Sequence, residues 1–118
     1  STQTPTLVFK PTGELMMILG SPGGGRIPNI ITQVISNVID HEMSFTEAVI
    51  APRINQRLES KLQLETGFSP DTIALLKQKG HEPETSTTMG NVQAIFLEQE
   101  NMFGVADTRR PGALAKGN

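Results

Sequence analysis

The stretch Gly20-Ser21-Pro22-Gly23-Gly24-Gly25-Arg26 runs straight into Ile27-Pro28-Asn29-Ile30-Ile31. An apolar run, Leu15-Met16-Met17-Ile18-Leu19, precedes it. Downstream, apolar residues stand at 27, 30, 31, 34, 35, 38 and 39, the spacing of one helix face. The order is strand, glycine turn, helix. Pro28 suits the first helical turn, where its missing N–H forfeits no hydrogen bond. The helix is expected to end near Asp40-His41. The first N–H groups of a helix lack internal partners and lie at the positive end of its dipole. Glycines leave those groups open to a ligand. The turn is therefore a candidate site for a phosphate, a carboxylate or an acyl-transfer oxyanion. A tight strand-to-helix turn with no ligand accounts for the same residues.

Toward the N-terminus, Ser1 to Pro5 is polar and irregular, and Thr6-Leu7-Val8-Phe9-Lys10 favours a strand. Pro11-Thr12-Gly13-Glu14 is a turn signal, so residues 6–19 read as a β-hairpin. The unbroken run of residues 15–19 predicts a strand buried on both faces. Toward the C-terminus, Ser44-Phe45-Thr46-Glu47 matches a capping box and predicts a short helix over 45–51, stopped by Pro52. Asn55 to Ser60 reads as loop or irregular strand, and Leu62-Gln63-Leu64-Glu65 as a strand. Ser69 as N-cap, Pro70 behind it and Gly80 as terminator bound a third helix with Ile73, Leu75 and Leu76 on its apolar face. Glu82 to Thr88 has weak strand potential. Residues 92–97 and 102–106 make a second hairpin around residues 98–101, and residues 107–118 read as irregular. The order β-β-α-α-β-α-β-β-β predicts one α+β unit, a mostly antiparallel sheet with helices packed on one face.

At 118 residues the chain suits one domain with a modest core. With 4 % aromatic residues and neither Trp nor Tyr, that core must come from Ile, Leu, Val, Met and five Phe. Net charge is −2 with scattered basic residues, which argues against a nucleic-acid partner. There is no cysteine, which excludes disulfides, zinc-thiolate sites and a cysteine nucleophile within these residues. His41 and His81 are the only histidines and stand without ligand-spaced acids, so neither a metal nor another cofactor is expected. No stretch reaches the length of a membrane span.

Ser21 lies outside a Gly-x-Ser-x-Gly frame and has no partner motif for a base, so it reads as a residue that shapes the turn. The turn ends Gly-Gly-Arg, whereas a phosphate loop ends Gly-Lys-Ser/Thr, and the dinucleotide fingerprint is absent from it. Arg26 reads equally as an anion partner or a solvated cation. Asp107-Thr108-Arg109-Arg110 reads equally as an ion-pair or carboxylate-binding feature or as an exposed tail.

Seven pieces of the chain, in order, carry a resemblance. They are Thr4-Pro5-Thr6, then Gly20-Ser21-Pro22-Gly23-Gly24 with Arg26-Ile27, then Ala51-Pro52-Arg53, then Glu65-x-Gly67-Phe68. Leu76 to Gly80 follows, then Met89-Gly90 with Gln93-Ala94-Ile95, then Gly104-x-Ala106-Asp107-x-Arg109-Arg110-x-Gly112. In this order and spacing the chain resembles the C-terminal part of the small subunit of gamma-glutamyltransferase (gamma-glutamyl transpeptidase), over essentially all of its length. The resemblance implies an N-terminal-nucleophile hydrolase fold, an αββα sandwich. It implies a precursor that cuts itself before a Thr. That Thr then attacks the gamma-glutamyl amide of glutathione and related compounds, and the acyl group passes to water, an amino acid or a peptide.

By the same resemblance, the N–H groups of Gly23 and Gly24 bind the oxyanion. Ser1 and Thr2 fall where the family places two adjacent hydroxyls that hold the substrate alpha-carboxylate. Thr2 stands for the family's usual Ser, and Gln3 for its usual Met. The catalytic Thr, the groups that grip the substrate amine and the large-subunit Arg are expected outside residues 1–118. Those residues are accordingly expected to be a single fragment of the parent enzyme, inactive alone and self-associating when isolated. Its expected partners are the rest of the small subunit and the large subunit, and the implied location is periplasmic or secreted. Two other readings stand beside this one. The first is a related acylase acting on glutaryl or cephalosporin amides. The second is a non-catalytic module that holds phosphate or carboxylate at residues 23–26.

Overall fold

Two short β-favouring runs around a Pro-Thr-Gly turn form the first hairpin, β1 (Thr6–Phe9) antiparallel to β2 (Leu15–Gly20). These strands come from a computed structural model that describes residues 5–56 and 61–110. A single 3-10 turn (Gly24–Arg26) leads into α1 (Ile27–Ile39), which keeps Pro28 in its first turn. Ser44 then caps α2 (Phe45–Ile50), its hydroxyl accepting the Glu47 N–H at 3.2 Å. Beyond it come β3 (Ile54–Asn55), β4 (Leu62–Leu64), α3 (Pro70–Gln78) and β5 (Pro83–Thr85). The second hairpin, β6 (Gln93–Glu98) and β7 (Asn101–Ala106), closes the order.

β1, β2, β6 and β7 form one antiparallel sheet in the order β1-β2-β6-β7. Its inner face carries Met17, Leu19, Ala94, Phe96 and Val105, against which Ile27, Ile30, Ile31 and Val34 of α1 are buried. Each of these side chains other than Ala94 contributes roughly 1.5–3 kcal/mol on leaving water. Phe45 at the start of α2 stacks on Phe96, with centroids 4.4 Å apart and ring planes 3° from parallel. Phe45 is only partly buried, so the stack packs against the edge of the core.

The expectation for residues 15–19 is corrected in one respect. Met17 and Leu19 are buried, whereas Met16 and Ile18 are only half-buried. The strand register puts Leu7, Ile18 and Ile95 side by side on the outer face. That face is apolar and uncovered by the described residues, with Leu7, Phe9 and Met102 at 53, 55 and 69 % exposure.

A second sheet also departs from the expected pattern. β3 and β4 are antiparallel, but β4 and β5 are parallel, because α3 carries the chain back to the same end. This sheet docks on α1 through polar contacts. Gln33 pairs with both the N–H and the carbonyl of Ile54, and Asn29 Nδ2 donates to Asn55 Oδ1 at 2.7 Å. Within α3, Ile73 and Leu76 are half-buried and Leu75 faces solvent. The helix ends as the glycine signal predicts, Gly80 and His81 N–H groups donating to Lys77 and Leu76 carbonyls. Among the described residues no helix is long and apolar enough to cross a membrane. Of the irregular stretches expected from sequence, residues 1–4, 57–60 and 111–118 lie outside the described residues.

Candidate functional site

The glycine turn takes a backbone that side chains resist. Gly23 has φ 144° and ψ 7°, and Gly24 has φ 57°. The turn's carbonyls are used internally: Arg26 N–H donates to Gly23 O at 3.1 Å and Ile27 N–H to Gly24 O. Among the described residues the Gly23 and Gly24 N–H groups donate to no acceptor. They lie at the start of the 3-10 turn that leads into the thirteen-residue α1, and the first turn of neither carries an acidic side chain. The dipole end and the open N–H groups together make a place where negative charge is stabilised.

The other sequence candidates separate around this turn. Ser21 is fully buried, and its partners are the Pro22 carbonyl and the Asn91 N–H, not a base. His41 and His81 are both exposed. Arg26 Nη2 donates to Gln63 Oε1 at 3.0 Å and to Ser86 Oγ at 3.4 Å, so the second sheet engages this cation. Ser1 and Thr2 lie outside the described residues. Among the described residues no three His, Asp or Glu side chains gather as metal ligands would. Two pockets of about 280 and 390 Å3 occur elsewhere; neither is lined by the turn.

Sequence reasoning left a second feature undecided, and the structure resolves it. Asp107 and Arg109 do not form a tail; they join Arg53 and Glu65 in a buried cluster of two cations and two anions. Arg53 Nη1 meets Asp107 Oδ2 at 2.9 Å, and Arg109 Nη1 meets Asp107 Oδ1 at 2.9 Å. Arg109 also clamps Glu65, with Nη2 to Oε1 at 2.6 Å and Nε to Oε2 at 2.8 Å. Thr108 and Arg110 point outward. Such a bidentate pairing of planar groups is the strong form of the contact. Backbone groups complete it: the Arg53 N–H donates to Glu65, and Arg53 Nη2 donates to Val49 O. Arg109 Nη2 donates to Ala51 O. No local signal announces this cluster, because Arg53, Glu65 and Arg109 stand in separate motifs.

Burial opposes ionisation at Glu65 and Asp107, yet both carboxyls titrate lower than usual. At Glu65, hydrogen bonds from Arg109 and from the Met89 and Arg53 N–H groups outweigh burial. At Asp107, the Val92 N–H and Arg109 do the same. Burial likewise opposes the charge on Arg109, but its bonds to Glu65 and Asp107 prevail and raise its pKa. Burial and the neighbouring Arg109 lower Arg53, which stays charged as arginine does in proteins.

A pH dependence follows. The unfolded chain protonates these carboxyls at their ordinary values, 4.5 for Glu65 and 3.8 for Asp107, and the folded chain below them. Their stabilisation is therefore complete above the ordinary values and is lost as pH falls through the lower folded ones. The urea midpoint should hold steady from neutral pH to about pH 5 and then drop. In an Asp107→Asn variant the acid-dependent part of that drop should shrink.

The family profile described as Gamma-glutamyltranspeptidase matches residues 1–117. A glutathione hydrolase proenzyme of Escherichia coli is 38 % identical over 119 residues, covering 99 % of this chain and 20 % of that protein. One from Bacillus subtilis is 38 % identical over 116 residues, covering 96 % of this chain and 20 % of that protein. The chain thus spans about one fifth of the length of these relatives. A solved Helicobacter pylori gamma-glutamyltranspeptidase superposes with a TM-score of 0.85 at 39 % identity, covering 93 % of this chain and 62 % of that one. A cephalosporin acylase from Bacillus halodurans, 23 % identical with a TM-score of 0.79, shares the fold. The α+β arrangement is thus that of the N-terminal-nucleophile hydrolases. Matched by the family profile over residues 1–117, this chain belongs to the gamma-glutamyltranspeptidase family.

Proposed function

We propose that these residues form the C-terminal part of the small subunit of a gamma-glutamyl acyltransferase. Its nucleophilic Thr is supplied by another part of the same protein. The observation that carries this reading is the pair of open N–H groups at Gly23 and Gly24, on a left-handed backbone at the head of α1. When a Thr hydroxyl oxygen adds to the gamma-carbonyl carbon, the carbonyl oxygen becomes an anion. The two N–H groups donate to it and lower the barrier, before the intermediate collapses and expels the amine, which leaves with the proton that the Thr hydroxyl gave up. The acyl-enzyme then passes its acyl group to water or to the amine of an amino acid or peptide. Ser1 and Thr2 would hold the substrate alpha-carboxylate. The uncovered outer face of the four-stranded sheet is the surface that the rest of the protein would pack upon.

The test is release of the aniline from a chromogenic gamma-glutamyl anilide by the complete protein, with and without a dipeptide acceptor. Release that the acceptor accelerates is expected from the complete protein, and none from residues 1–118 alone. Release only from glutaryl or cephalosporin amides would move the function to a related acylase. A phosphate titration that shifts the residue 23–25 amides of an enzymatically silent protein would favour an anion-binding module.

A further inference from the structure

The Gly23 N–H belongs to a peptide plane whose carbonyl end is held, and the holding group is Ser21. The Pro22 carbonyl and the Gly23 N–H belong to one planar unit and point in opposite directions. Fixing the carbonyl therefore aims the N–H. Ser21 Oγ donates to the Pro22 carbonyl at 2.7 Å. The same oxygen accepts the Asn91 N–H at 3.0 Å. That second bond occupies an Oγ lone pair and leaves the hydroxyl proton for Pro22. Ser21 is fully buried, so water does not compete for either bond.

The loop that supplies the Asn91 N–H is itself gripped from behind. Met89 N–H donates to Glu65 Oε2 at 2.6 Å, and Met89 O accepts from Arg53 Nη1 at 2.7 Å. Val92 N–H donates to Asp107 Oδ2 at 2.9 Å. Between these anchors Gly90 presses directly on the turn. A Cβ on Gly90 would lie 2.5 Å from Ser21 Oγ, 2.8 Å from Ile30 Cδ1 and 3.2 Å from Pro22 O. Its φ of +73° is also one that a side chain disfavours. The buried charge cluster, the loop over residues 89–92, Ser21 and the Pro22–Gly23 peptide thus form one continuous chain of contacts.

We propose that Ser21 is a positioning residue that aims the Gly23 N–H at the oxyanion, with Gly90 holding Ser21 in place and the charge cluster holding the loop. The proposal rests on the acyl-transfer reading above. Because the aim of the N–H matters most when charge sits on the carbonyl oxygen, the hydroxyl acts on the transition state more than on bound substrate.

The experiment uses the complete protein and compares it with Ser21→Ala. Three quantities are read. These are kcat and KM for the gamma-glutamyl anilide, affinity for a gamma-glutamyl boronate analogue, and inhibition by glutamate. The boron atom adds the Thr hydroxyl and becomes a tetrahedral anion, so the boronate reports the oxyanion contacts. Glutamate reports ground-state binding. Ser21→Ala should lower kcat by about 10- to 50-fold, less than the loss of a whole oxyanion donor. Boronate affinity should fall by a similar factor, with KM and glutamate inhibition within about twofold.

A kcat within twofold of the unaltered enzyme, or boronate and glutamate weakened equally, would overturn the proposal. Should the alanine variant fail to fold, Ser21→Cys keeps a side chain there with a weaker donor. Its kcat should fall with glutamate binding kept, and an unchanged kcat would overturn the proposal equally. If the unaltered protein neither cleaves the anilide nor binds the boronate, the acyl-transfer reading falls, and the role of Ser21 falls with it.

Discussion

Replacing Asp107 by alanine should destabilise the protein by about 3–5 kcal/mol, the scale for breaking a buried ion pair from one side. Asp107 is fully buried and accepts from four groups: Arg53 Nη1, Arg109 Nη1, and the Val92 and Arg109 N–H groups. Alanine removes all four acceptor contacts at once. Two guanidinium groups then share a single carboxylate, Glu65, and the cluster's balanced charge becomes a net positive charge away from water. Arg53 is the more exposed to this loss, since its Nε is already without a partner among the described residues. The measurement is the urea midpoint of the complete protein at neutral pH, with the slope checked for constancy. Asp107→Asn preserves the shape but not the charge and should fall between the two. A loss below about 1 kcal/mol for Asp107→Ala, the scale of an exposed pair, would mean the cluster does not support the fold.

Gly23→Ala should lower kcat for the gamma-glutamyl anilide by about 100- to 1,000-fold, the cost of losing one oxyanion donor. A Cβ on Gly23 would sit 3.1 Å from Ile30 Cδ1, at a φ of +144° that L-residues rarely adopt. The backbone must rotate to relieve both, and that rotation turns the Gly24 N–H away. Gly24→Ala is the control with the same added methyl. Its Cβ meets nothing within 4 Å, and its φ of +57° is left-handed helical, which costs a side chain roughly 1–2 kcal/mol. The Gly24 variant should therefore lose about tenfold or less. Equal losses at the two positions would detach the activity from the backbone geometry of the turn.

The contrast between these positions shows what the sequence made legible. The glycine turn and α1 were readable because their information is local: a glycine run, a proline in the first turn, and apolar residues repeating every three or four positions. Ser44, Ser69 and Gly80 set helix ends for the same reason. The parallel pairing of β4 with β5 was not readable, since a three-residue strand carries no mark of its partner's direction. The charge cluster was not readable either. The Asp107-to-Arg110 run carries an ion-pair reading of its own, but Arg53 and Glu65 look ordinary in their own segments, and only folding brings the four together. The half-open face of β2 is not legible from its apolar run, which does not state whether its second cover lies among the same residues. Ser21 was legible as a turn-shaping residue, but its tie to Asn91 spans 70 positions and needed the structure.

The long reach of the cluster also bears on time. From Arg109 the contacts run back 44 residues to Glu65, 58 to Ala51 and 60 to Val49. Contacts that close loops of this length wait until the intervening strands and helices have been brought together. The cluster should thus assemble late, so that Asp107→Ala speeds unfolding more than it slows refolding in a stopped-flow measurement. Interactions absent from the transition state leave the folding rate nearly untouched and govern how quickly the native state comes apart. On that expectation the four charges act as a brake on unfolding, and an Asp107→Ala unfolding rate equal to that of the unaltered protein would remove it.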